Sequence, residues 1–547
     1  MKKRKFLSLW MFLVLALMFV LAACSSGGGQ TTEPTKTDTT TDKGETTTAE
    51  EPKNDIPQIL VFGRGGDSVS LDPAIVTDGE SYKVTENLFE TLLNFGPQDT
   101  TINPGLAKEW DVSEDGLTYT FKLQEGVKFH DGTDFNADAV VKNVERWKGG
   151  AAEQFYYFHS MFKANGEDII ESVVAEDDYT VVFKLTRPQA PFLKNIAMSP
   201  FGIASPTAFE SAGESFGDNP VGTGPFKFVE WKRNDSITIE KNPDYWQEGL
   251  PKLDKVIFRS IPDNSGRLNA LLAGEIDLAD GINPSDAGII QGNADLQLIE
   301  RPSMNIGYLG LTNTRPPFDN KLVRQAVNYA IDKQAIIDAF FEGRAEAAVN
   351  PMPPSISGYN DEIAGYEYNP EKAKELLAEA GYDGSEIELW AMPVPRPYMP
   401  DGQKVAEAIQ KNLADVGIPA KIQSVEWATY LDKANQGEFD AFLLGWTGDN
   451  GDADNFLYAL LDKDNIGSNN YAYYSSDELH ELLIAAQSEV DEDVRINLYK
   501  QAQQIIHDDA PWVPLAHSIP LLAGKKGVTG YLPHPTGSES LQNVSIQ

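Results

Sequence analysis

Residues 385–455 read SEIELWAMPVPRPYMPDGQKVAEAIQKNLADVGIPAKIQSVEWATYLDKANQGEFDAFLLGWTGDNGDADN, and they carry the clearest sequence signal of the fold. It contains three short, largely apolar segments that are typical of β-strands: 387–392, 421–425 and 439–446. The two segments between them repeat apolar residues at helical spacing: 401–416 and 427–436. Strands that alternate with helices pair in parallel, because each helix carries the chain back across the sheet. The sequence therefore predicts an α/β fold with three parallel strands here.

Two loops follow the carboxyl ends of the first and third predicted strands, and each carries a charged candidate. Prolines surround Arg396, and Gly448 and Gly451 flank Asp449. Ligands of open parallel sheets bind outside the carboxyl ends of the strands. A guanidinium holds a peptide carboxylate through two parallel hydrogen bonds, and a carboxylate holds a peptide ammonium. Arg396 and Asp449 are therefore candidate anchors for the two ends of a short peptide. The alternative is that both are ordinary surface charges.

Anchors at both ends would select the length of the ligand, because each residue of an extended peptide adds about 3.3–3.6 Å. The side chains of the ligand would then need little recognition. Two aromatic residues adjoin the anchors, Tyr398 and Trp446. They either line the pocket and stack on peptide planes or belong to the core.

The first 24 residues have the layout of a bacterial secretory signal. Residues 2–5 are all basic, and the 18 residues of 6–23 carry no charge. Cys24 follows a Leu-Ala-Ala sequence and is the only cysteine of the chain. This arrangement resembles the lipobox of bacterial lipoproteins, in which the segment before the cysteine is removed and the thiol is acylated. We predict a signal peptide at 1–23 and a lipidated Cys24. A retained transmembrane helix is the alternative, since about 18 apolar residues just reach bilayer length.

Residues 25–54 are almost wholly Ser, Gly, Thr, Glu, Asp, Lys and Pro, without hydrophobic periodicity. Such a segment cannot bury enough apolar surface to offset its chain entropy. We therefore predict that 24–54 is a lipidated, disordered tether, which as a flexible coil spans on the order of 30 Å. The expected location is the outer face of the cytoplasmic membrane of a Gram-positive cell.

The remaining chain, about 490 residues, is too long for one hydrophobic core, so two or more domains are expected. The 547-residue chain has a formal net charge of −37, and removal of the four basic residues of the signal makes it −41. Nucleic-acid-binding proteins carry a basic footprint, and so do bodies that dock on anionic membranes. The charge therefore argues against both kinds of partner, but it does not identify the ligand.

Several motifs resemble the family 5 solute-binding proteins of ABC importers, from near Pro57 to the C-terminus. They are LAKEWDVSEDG at 106–116 with FHDG at 129–132, and VRQAVNYAID at 323–332. Within the family, PRPY at 395–398 and GWTGDNGD at 445–452 are similar to bacterial dipeptide-binding proteins. In those proteins the arginine of the first motif holds the peptide carboxylate, and the first aspartate of the second holds the amino group. The resemblance thus implies these roles for Arg396 and Asp449.

The resemblance also implies a two-lobed, type II periplasmic-binding-protein-like fold of the large peptide-binding class, which closes over its ligand by a hinge. Lobe I is expected to combine 55–302 with 520–547, and lobe II to span 303–519. An extra subdomain of lobe I is expected at about 84–215.

Further residues of the matching motifs, Tyr398, Trp446 and Thr447, are expected beside the anchors by the same resemblance. The sequence departs from the dipeptide-binding pattern at Met399, where those proteins have a polar asparagine. A different short peptide therefore stays open as the ligand.

The chain offers little for catalysis or metal binding. One Gly-x-Ser-x-Gly match occurs at 213–217, but a helix-like stretch precedes it and turn residues follow it. Ser215 therefore lacks the strand and the helix that a nucleophile elbow requires. The six histidines show no metal-ligand spacing, and the acidic loop 449–454 lacks the register of a calcium loop. We predict a protein that is not an enzyme and has no metal or cofactor.

The sequence thus predicts a lipid-anchored, monomeric extracellular protein that captures dipeptides or short peptides. It would deliver them to ABC permease subunits that work with cytoplasmic ATPases. Two alternatives stay open. One is a non-peptide cargo such as haem, a metal chelate, glutathione or an oligosaccharide. The other is a receptor that senses peptides without transporting them.

Overall fold

The computed structural model describes residues 56–547 apart from 165 and 166. The predicted signal peptide 1–23, the predicted lipidation of Cys24 and the tether 24–54 lie outside these residues. Within the described part of the chain, no helix is long and apolar enough to cross a membrane. Two mixed β-sheets organise this part of the chain.

The first sheet defines what we call the first lobe. Its seven described strands follow one another in the order Phe226–Lys232, Ser236–Lys241, Lys255–Ser260, Ile59–Arg64, Leu278–Ile282, Leu521–Lys525 and Leu296–Glu300. Ile59–Arg64 is parallel to both of its neighbours, and the other pairs are antiparallel. The helices beside it are Gly79–Thr85, Asn264–Leu272 and Ala287–Gln291, with a 3-10 turn at Pro284–Asp286. Because Leu521–Lys525 lies inside the sheet, distant parts of the chain build one lobe.

The second sheet defines the second lobe. Its six described strands lie in the order Ala345–Ala347, Trp512–Ser518, Asn305–Leu311, Ala441–Thr447, Ile387–Trp390 and Ala420–Gln423. The last three are the strands predicted to be parallel, and they do pair in parallel, which confirms the prediction. The helices of this lobe are Lys321–Ala330, Lys333–Phe340, Pro370–Glu379, Gly402–Asp415, Trp427–Asn435, Asp454–Leu461, Asp477–Ser488 and Glu492–Asp509, with a 3-10 turn at Lys463–Asn465.

Between the strands of the first lobe the chain forms a subdomain with its own sheet. The four strands of that sheet are Ala107–Val112, Thr118–Leu123, Thr180–Leu185 and Ile170–Asp177, all antiparallel. Its helices are Ala137–Gly149, Tyr156–Phe162, Phe192–Ile196 and Pro206–Ala212, with 3-10 turns at Ser199–Phe201 and Gly213–Asp218. Short two-stranded pairs join Leu93–Phe95 to Ile102–Pro104, Lys163–Ala164 to Glu167–Asp168, and Val528–Thr529 to Ser545–Ile546.

The hydrophobic cores follow the same division. One cluster of buried side chains runs from Met304 to Ala516 and fills the second lobe. A separate cluster, from Ala74 to Ile203, lies mainly under the sheet of the subdomain. Two more clusters cover the two faces of the first sheet. Separate cores allow the two lobes to move as units, because burial of apolar surface inside each does not depend on the other.

The chain crosses between the lobes twice, at 300–305 and at 518–521. These crossing segments lie side by side: the backbone N–H of Arg301 donates to the carbonyl of Pro520 at 2.9 Å. Asn305 binds Ser518 twice, donating through Nδ2 to its carbonyl and accepting from its backbone N–H, both at 3.0 Å. The predicted lobe boundaries after 302 and 519 fall in these segments. The exact boundaries remain a prediction. The assignment of the strands to the two sheets supports them.

Candidate ligand-binding site

Asp449 lies just beyond the strand Ala441–Thr447, in a loop that one asparagine holds in place. The backbone N–H of Asp449 donates to Oδ1 of Asn455 at 2.8 Å, and Nδ2 of Asn455 donates to Oδ2 of Asp449 at 3.1 Å. The indole N–H of Trp446 donates to the same Oδ1 at 3.1 Å. Asn455 therefore fixes both the loop and the direction in which the carboxylate points.

The carboxylate of Asp449 faces the subdomain and lies among tyrosines. The hydroxyl of Tyr157 donates to its Oδ1 at 3.3 Å, and Tyr82 and Tyr156 lie close enough for its charge to raise their pKa values. Burial raises the pKa of Asp449 itself to about 6, although the bonds from Asn455 and Tyr157 oppose the rise. Among the described residues, no lysine, arginine or histidine nitrogen lies within 4.0 Å of this carboxylate. A desolvated anion among aromatic rings is well suited to receive an ammonium group.

Two cavities share Asp449 and Tyr157 in their walls. The first has a volume of about 230 Å³ and reaches into the first lobe, past Glu86 and Met198. The second has a volume of about 360 Å³ and lies between the subdomain and the second lobe, beside Trp446. Asp449 therefore stands where the two spaces adjoin, and a group bound to it has room on both sides.

The loop that carries Arg396 is held as firmly as the loop of Asp449. The backbone N–H of Arg396 donates to the carbonyl of Met399 at 3.0 Å, and the N–H of Met399 donates back at 2.9 Å. The hydroxyl of Ser518 donates to the carbonyl of Pro397 at 2.7 Å, which ties the loop to a crossing segment. Tyr398 is buried against the strand Ala441–Thr447. A Cβ added to Gly445 of that strand would overlap the ring of Tyr398. Burial raises the pKa of Tyr398 to about 12, although nearby Arg396 opposes the rise.

The guanidinium of Arg396 is exposed and lies 5.0 Å from the centre of the Trp427 ring. Within the part of the chain that the structure describes, no carboxylate lies within 4.0 Å of it. Neighbouring residues of its loop, among them Pro395, line a cleft of about 500 Å³ that faces residues 262–264 of the first lobe. Arg396 is thus an exposed cation on the loop beside the interlobe cleft, and its charge is available to an anion.

The five predicted ligand-binding residues fall into two groups. Trp446 and Asp449 line one cavity, whereas Arg396 and Tyr398 belong to the loop beside the interlobe cleft. Thr447 is half-buried and pairs with Asn305 at the end of the strand. The structure thus brings Trp446 and Asp449 into one cavity, whereas Arg396, Tyr398 and Thr447 are not among the residues that line it.

The subdomain forms direct hydrogen bonds with the loop that carries Asp449. The ammonium of Lys194 donates to the carbonyl of Gly451 at 2.7 Å, and Nδ2 of Asn450 donates to Oδ1 of Asn195 at 2.7 Å. Gly451 has a φ of 64°, and a Cβ there would overlap the hydroxyl of Thr100. Glycine is needed at 451 for both reasons. A movement of the second lobe away from the subdomain would break these bonds.

The other acidic residues of this loop are engaged inside the protein. Asp452 pairs with Arg495, with Oδ1 2.6 Å from Nη2, and Asp454 accepts from Nε2 of Gln487 at 3.0 Å. One histidine does have acidic neighbours that its sequence spacing did not reveal. Nδ1 of His480 lies 3.1 Å from both carboxylate oxygens of Asp462, and Asp464 lies close by.

Ser215 does not sit in a nucleophile elbow. It lies in the 3-10 helix Gly213–Asp218, directly after the helix Pro206–Ala212, and its hydroxyl donates to the carbonyl of Ala212 at 2.8 Å. The strand, turn and helix that expose a serine nucleophile are therefore not formed at this position.

Three residues of the site were not predicted from the sequence: Asn455, Tyr157 and Trp427. Asn455 is only six positions from Asp449, but it lies inside the helix Asp454–Leu461 and does not cap it, so no local pattern marks it as the partner of Asp449. Tyr157 lies in another lobe and 292 positions away in the chain, and no local pattern connects it to Asp449.

Known proteins share the sequence and the fold of most of this chain. The profile of bacterial extracellular solute-binding proteins, family 5 Middle, matches residues 101–468. Heme-binding protein A of Haemophilus influenzae is 37% identical over 97% of this chain and 98% of its own length. The dipeptide-binding protein of Escherichia coli is 39% identical over 89% of this chain and 94% of its own length. The solved structure of the ABC transporter-associated periplasmic binding protein DppA from Helicobacter pylori, in complex with the peptide STSA, superposes with a TM-score of 0.79 at 38% identity, covering 89% and 98% of the two chains.

Two sheets, two crossing segments and a cavity between the lobes define a type II, two-lobed solute-binding protein. The chain belongs to the bacterial extracellular solute-binding proteins of family 5. Members of this family bind the solutes of transport systems.

Proposed function

We propose that this protein captures dipeptides or other short peptides outside the cell and delivers them to an ABC importer. The observation that carries the proposal is the state of Asp449, a desolvated carboxylate with a raised pKa and no cation beside it among the described residues. The kinship with proteins named dipeptide-binding supports the same cargo.

In this proposal Asp449 binds the peptide ammonium, and Arg396 binds the peptide carboxylate. An ammonium between Asp449 and the tyrosine rings would regain the hydrogen bonds that it loses on leaving water. A guanidinium offers two parallel N–H donors to a carboxylate, and Trp427 stacks against Arg396 and limits its motion. Trp446, Thr447 and Tyr398 then flank the peptide between the two anchors.

Two fixed anchors imply a rule of length. Each additional residue of an extended peptide moves its carboxylate by about 3.3–3.6 Å, which is more than a hydrogen bond tolerates. A peptide of the wrong length therefore loses one anchor unless it bends. The cleft of about 500 Å³ beside the Arg396 loop leaves room for such a bend, so the penalty for one extra residue is moderate.

The remaining parts of the proposal concern location and partners. Acylated Cys24 anchors a monomer to the outer face of a Gram-positive cytoplasmic membrane, and 25–54 spaces the body from the lipid. The partners are the permease subunits of the importer, which work with cytoplasmic ATPases. The sequence layout of residues 1–54 supports the anchor.

Calorimetric titration tests the cargo. The protein is unfolded and refolded to remove any co-purified ligand. It is then titrated with a dipeptide, its N-acetylated form, its C-terminal amide and a tripeptide that extends it. We expect tight binding of the free dipeptide, moderately weaker binding of the tripeptide, and large losses on acetylation and on amidation. Equal binding of all four, or none, would contradict the proposal.

Haem and glutathione belong in the same titration, because one relative is named a heme-binding protein and others glutathione-binding proteins. Tight binding of either, without binding of peptides, would replace the peptide cargo. A strain that lacks the protein separates transport from sensing: we expect it to lose uptake of the labelled dipeptide. Unchanged uptake would favour a sensing receptor.

A further inference from the structure

Residues 187–195 of the subdomain bind the second lobe at two places, and we call this stretch the clasp. At the first place the backbone N–H of Ala190 donates to the carbonyl of Gln487 at 2.8 Å, and Nη2 of Arg187 donates to Oε1 of the same glutamine at 3.2 Å. Gln487 is only 7% exposed, and its own Nε2 donates to Oδ1 of Asp454 at 3.0 Å. Its side chain is therefore held on the second lobe and presents an acceptor to the clasp.

The second place is the loop that carries Asp449. Oδ1 of Asn195 accepts from Nδ2 of Asn450 at 2.7 Å, and each of these asparagines is only 2% exposed. Oδ1 of Asn450 accepts in turn from the backbone N–H of Asp452 at 3.0 Å, which holds its side chain in place. Lys194 donates to the same loop, but burial lowers the pKa of its ammonium, so desolvation opposes the gain from that bond. The neutral asparagine pair is therefore the clearer contact between the two bodies.

These bonds join two bodies that have separate hydrophobic cores. Phe192 of the clasp packs in the core of the subdomain, whereas Ala453 and Ala486, which lie near the bonded residues of the second lobe, pack in the core of that lobe. The chain connects the lobes at 300–305 and 518–521, so a rotation about these segments would separate the clasp from the second lobe and expose its polar groups to water. The clasp contacts thus belong to the closed arrangement of the lobes.

Every partner in the clasp contacts is a protein atom, so the bonds can form whether or not a peptide is present. A ligand that binds only the closed arrangement has an apparent affinity reduced by the fraction of the free protein that is closed. A contact that raises this fraction therefore strengthens the binding of every peptide by the same factor. It does so without recognising any side chain of the ligand.

We propose that the clasp keeps a measurable fraction of the free protein closed, and that Asn195 is a positioning residue, which strengthens peptide binding through Asn450 without contacting the peptide. Both asparagines also line the cavity of about 360 Å³, so direct contact with the ligand is the competing explanation. Closure affects all peptides alike, whereas a contact with a ligand side chain depends on that side chain. The effect on affinity rests on the proposed function, but the closure of the free protein does not.

The first test is small-angle X-ray scattering of the refolded protein and of its Asn195→Ala variant. The substitution removes the bond to Asn450 and suits the helix Phe192–Ile196, because alanine favours helices. We expect the free variant to have a larger radius of gyration than the free parent protein, and the two radii to become equal with saturating Met-Leu. Equal radii of the two free proteins would overturn the inference, whatever the cargo.

The second test is calorimetric titration of both proteins with Gly-Leu and Met-Leu, which differ only in their first side chain. We expect Asn195→Ala to bind each peptide about 3- to 10-fold more weakly, with the ratio between the two peptides unchanged. A loss for one peptide only would assign Asn195 to the ligand, and no loss for either would remove its role. Both results would overturn the inference. Asn269→Ala, which removes an exposed asparagine from a helix of the first lobe, should change neither affinity nor radius.

Two further variants assign the effect to the clasp. In the background of Asn450→Ala the change Asn195→Ala should cause no further loss, because the bond between the two side chains is already absent. Arg187→Met removes a bond at the other place and should weaken both peptides by one common factor. A full further loss in the double variant, or unequal losses in Arg187→Met, would overturn the inference.

The two proposals fail separately. Absence of binding by both peptides, together with the expected difference in radius between the free proteins, would overturn the proposed function and support the clasp. Binding of both peptides, with equal radii and unchanged affinities in Asn195→Ala, would support the proposed function and overturn the clasp.

Discussion

Replacement of Asp449 by asparagine removes one charge and almost no volume from the centre of the proposed site. The single amide oxygen can accept from Nδ2 of Asn455, which bonds Oδ2 of Asp449, and the amide nitrogen can then donate to the hydroxyl of Tyr157, which bonds Oδ1. The change therefore isolates the charge of the carboxylate from its shape. Any loss of affinity reports the attraction between this anion and the ammonium of the ligand.

The expected loss follows from burial. Truncation of one partner in a buried charge pair costs about 2–5 kcal/mol. The lower part of that range applies here, because the residue is half-buried and its amide oxygen still accepts from the ammonium. About 2–3 kcal/mol corresponds to an affinity about 30- to 150-fold weaker. A peptide with an acetylated amine carries no ammonium, so its weak binding should hardly change.

The pH dependence of peptide affinity is a second, independent test of the role of Asp449. Burial raises the pKa of Asp449 to about 6 in the free protein, and a bound ammonium lowers it, so that binding a peptide releases a proton below pH 6. Affinity should change little from pH 7 until the amine of the peptide itself deprotonates, at about pH 8, and should fall by up to about tenfold for each unit below pH 6. Asp454 and Glu86, with pKa values raised by burial to about 7, titrate near the same range. The Asp449→Asn variant isolates the share that belongs to Asp449.

The assay is titration calorimetry at pH 4.5 to 8 with a free and an acetylated dipeptide. Asp415→Asn is the matched control, since it removes an exposed aspartate of the same lobe. It should leave affinity and pH profile unchanged. If Asp449→Asn binds the free dipeptide as tightly as the parent protein and shows the same pH profile, the ammonium is bound elsewhere.

Three further predictions concern other parts of the molecule. Arg396→Ala should weaken binding of a free dipeptide by about 1.5–3 kcal/mol in calorimetry, because a charge-assisted hydrogen bond is lost at an exposed site. Binding of the corresponding dipeptide amide, which has no carboxylate, should hardly change. Equal losses for acid and amide would contradict the role of Arg396. Cys24→Ser should release the protein from membranes into the medium after cell fractionation, whereas continued attachment would revive a transmembrane helix. Asp452→Ala should lower the free energy of unfolding in urea by about 3 kcal/mol, because it leaves the charge of Arg495, whose side chain is 17% exposed, without its partner. Despite burial, Arg495 holds the pKa of Asp452 below its usual value, so this contribution should fade as the pH falls below about 4, and a loss unchanged at pH 3 would contradict it.

Local signals in the sequence are sufficient to predict the strands and helices around the site. Alternation of strands and helices between 385 and 455 predicted three parallel strands, and they are parallel. Asp401 was predicted to begin a helix, and its carboxylate accepts from the backbone N–H of Lys404 at 3.1 Å. The ends of the strands were less certain: the third was predicted at 439–446 and is found at Ala441–Thr447. Periodicity and capping involve residues only a few positions apart, so one sequence contains them in full.

The order of the elements, the loops at the strand ends and the two candidate anchors, Arg396 and Asp449, can be predicted from the sequence alone. The surroundings of each anchor follow from the packing of the fold. Tyr157 reaches Asp449 from 292 positions away, and residues of the subdomain line the cavity beside it. Desolvation and hydrogen-bond balance depend on which surfaces the two lobes present to each other. That packing joins segments far apart in the chain, and no short-range pattern contains it.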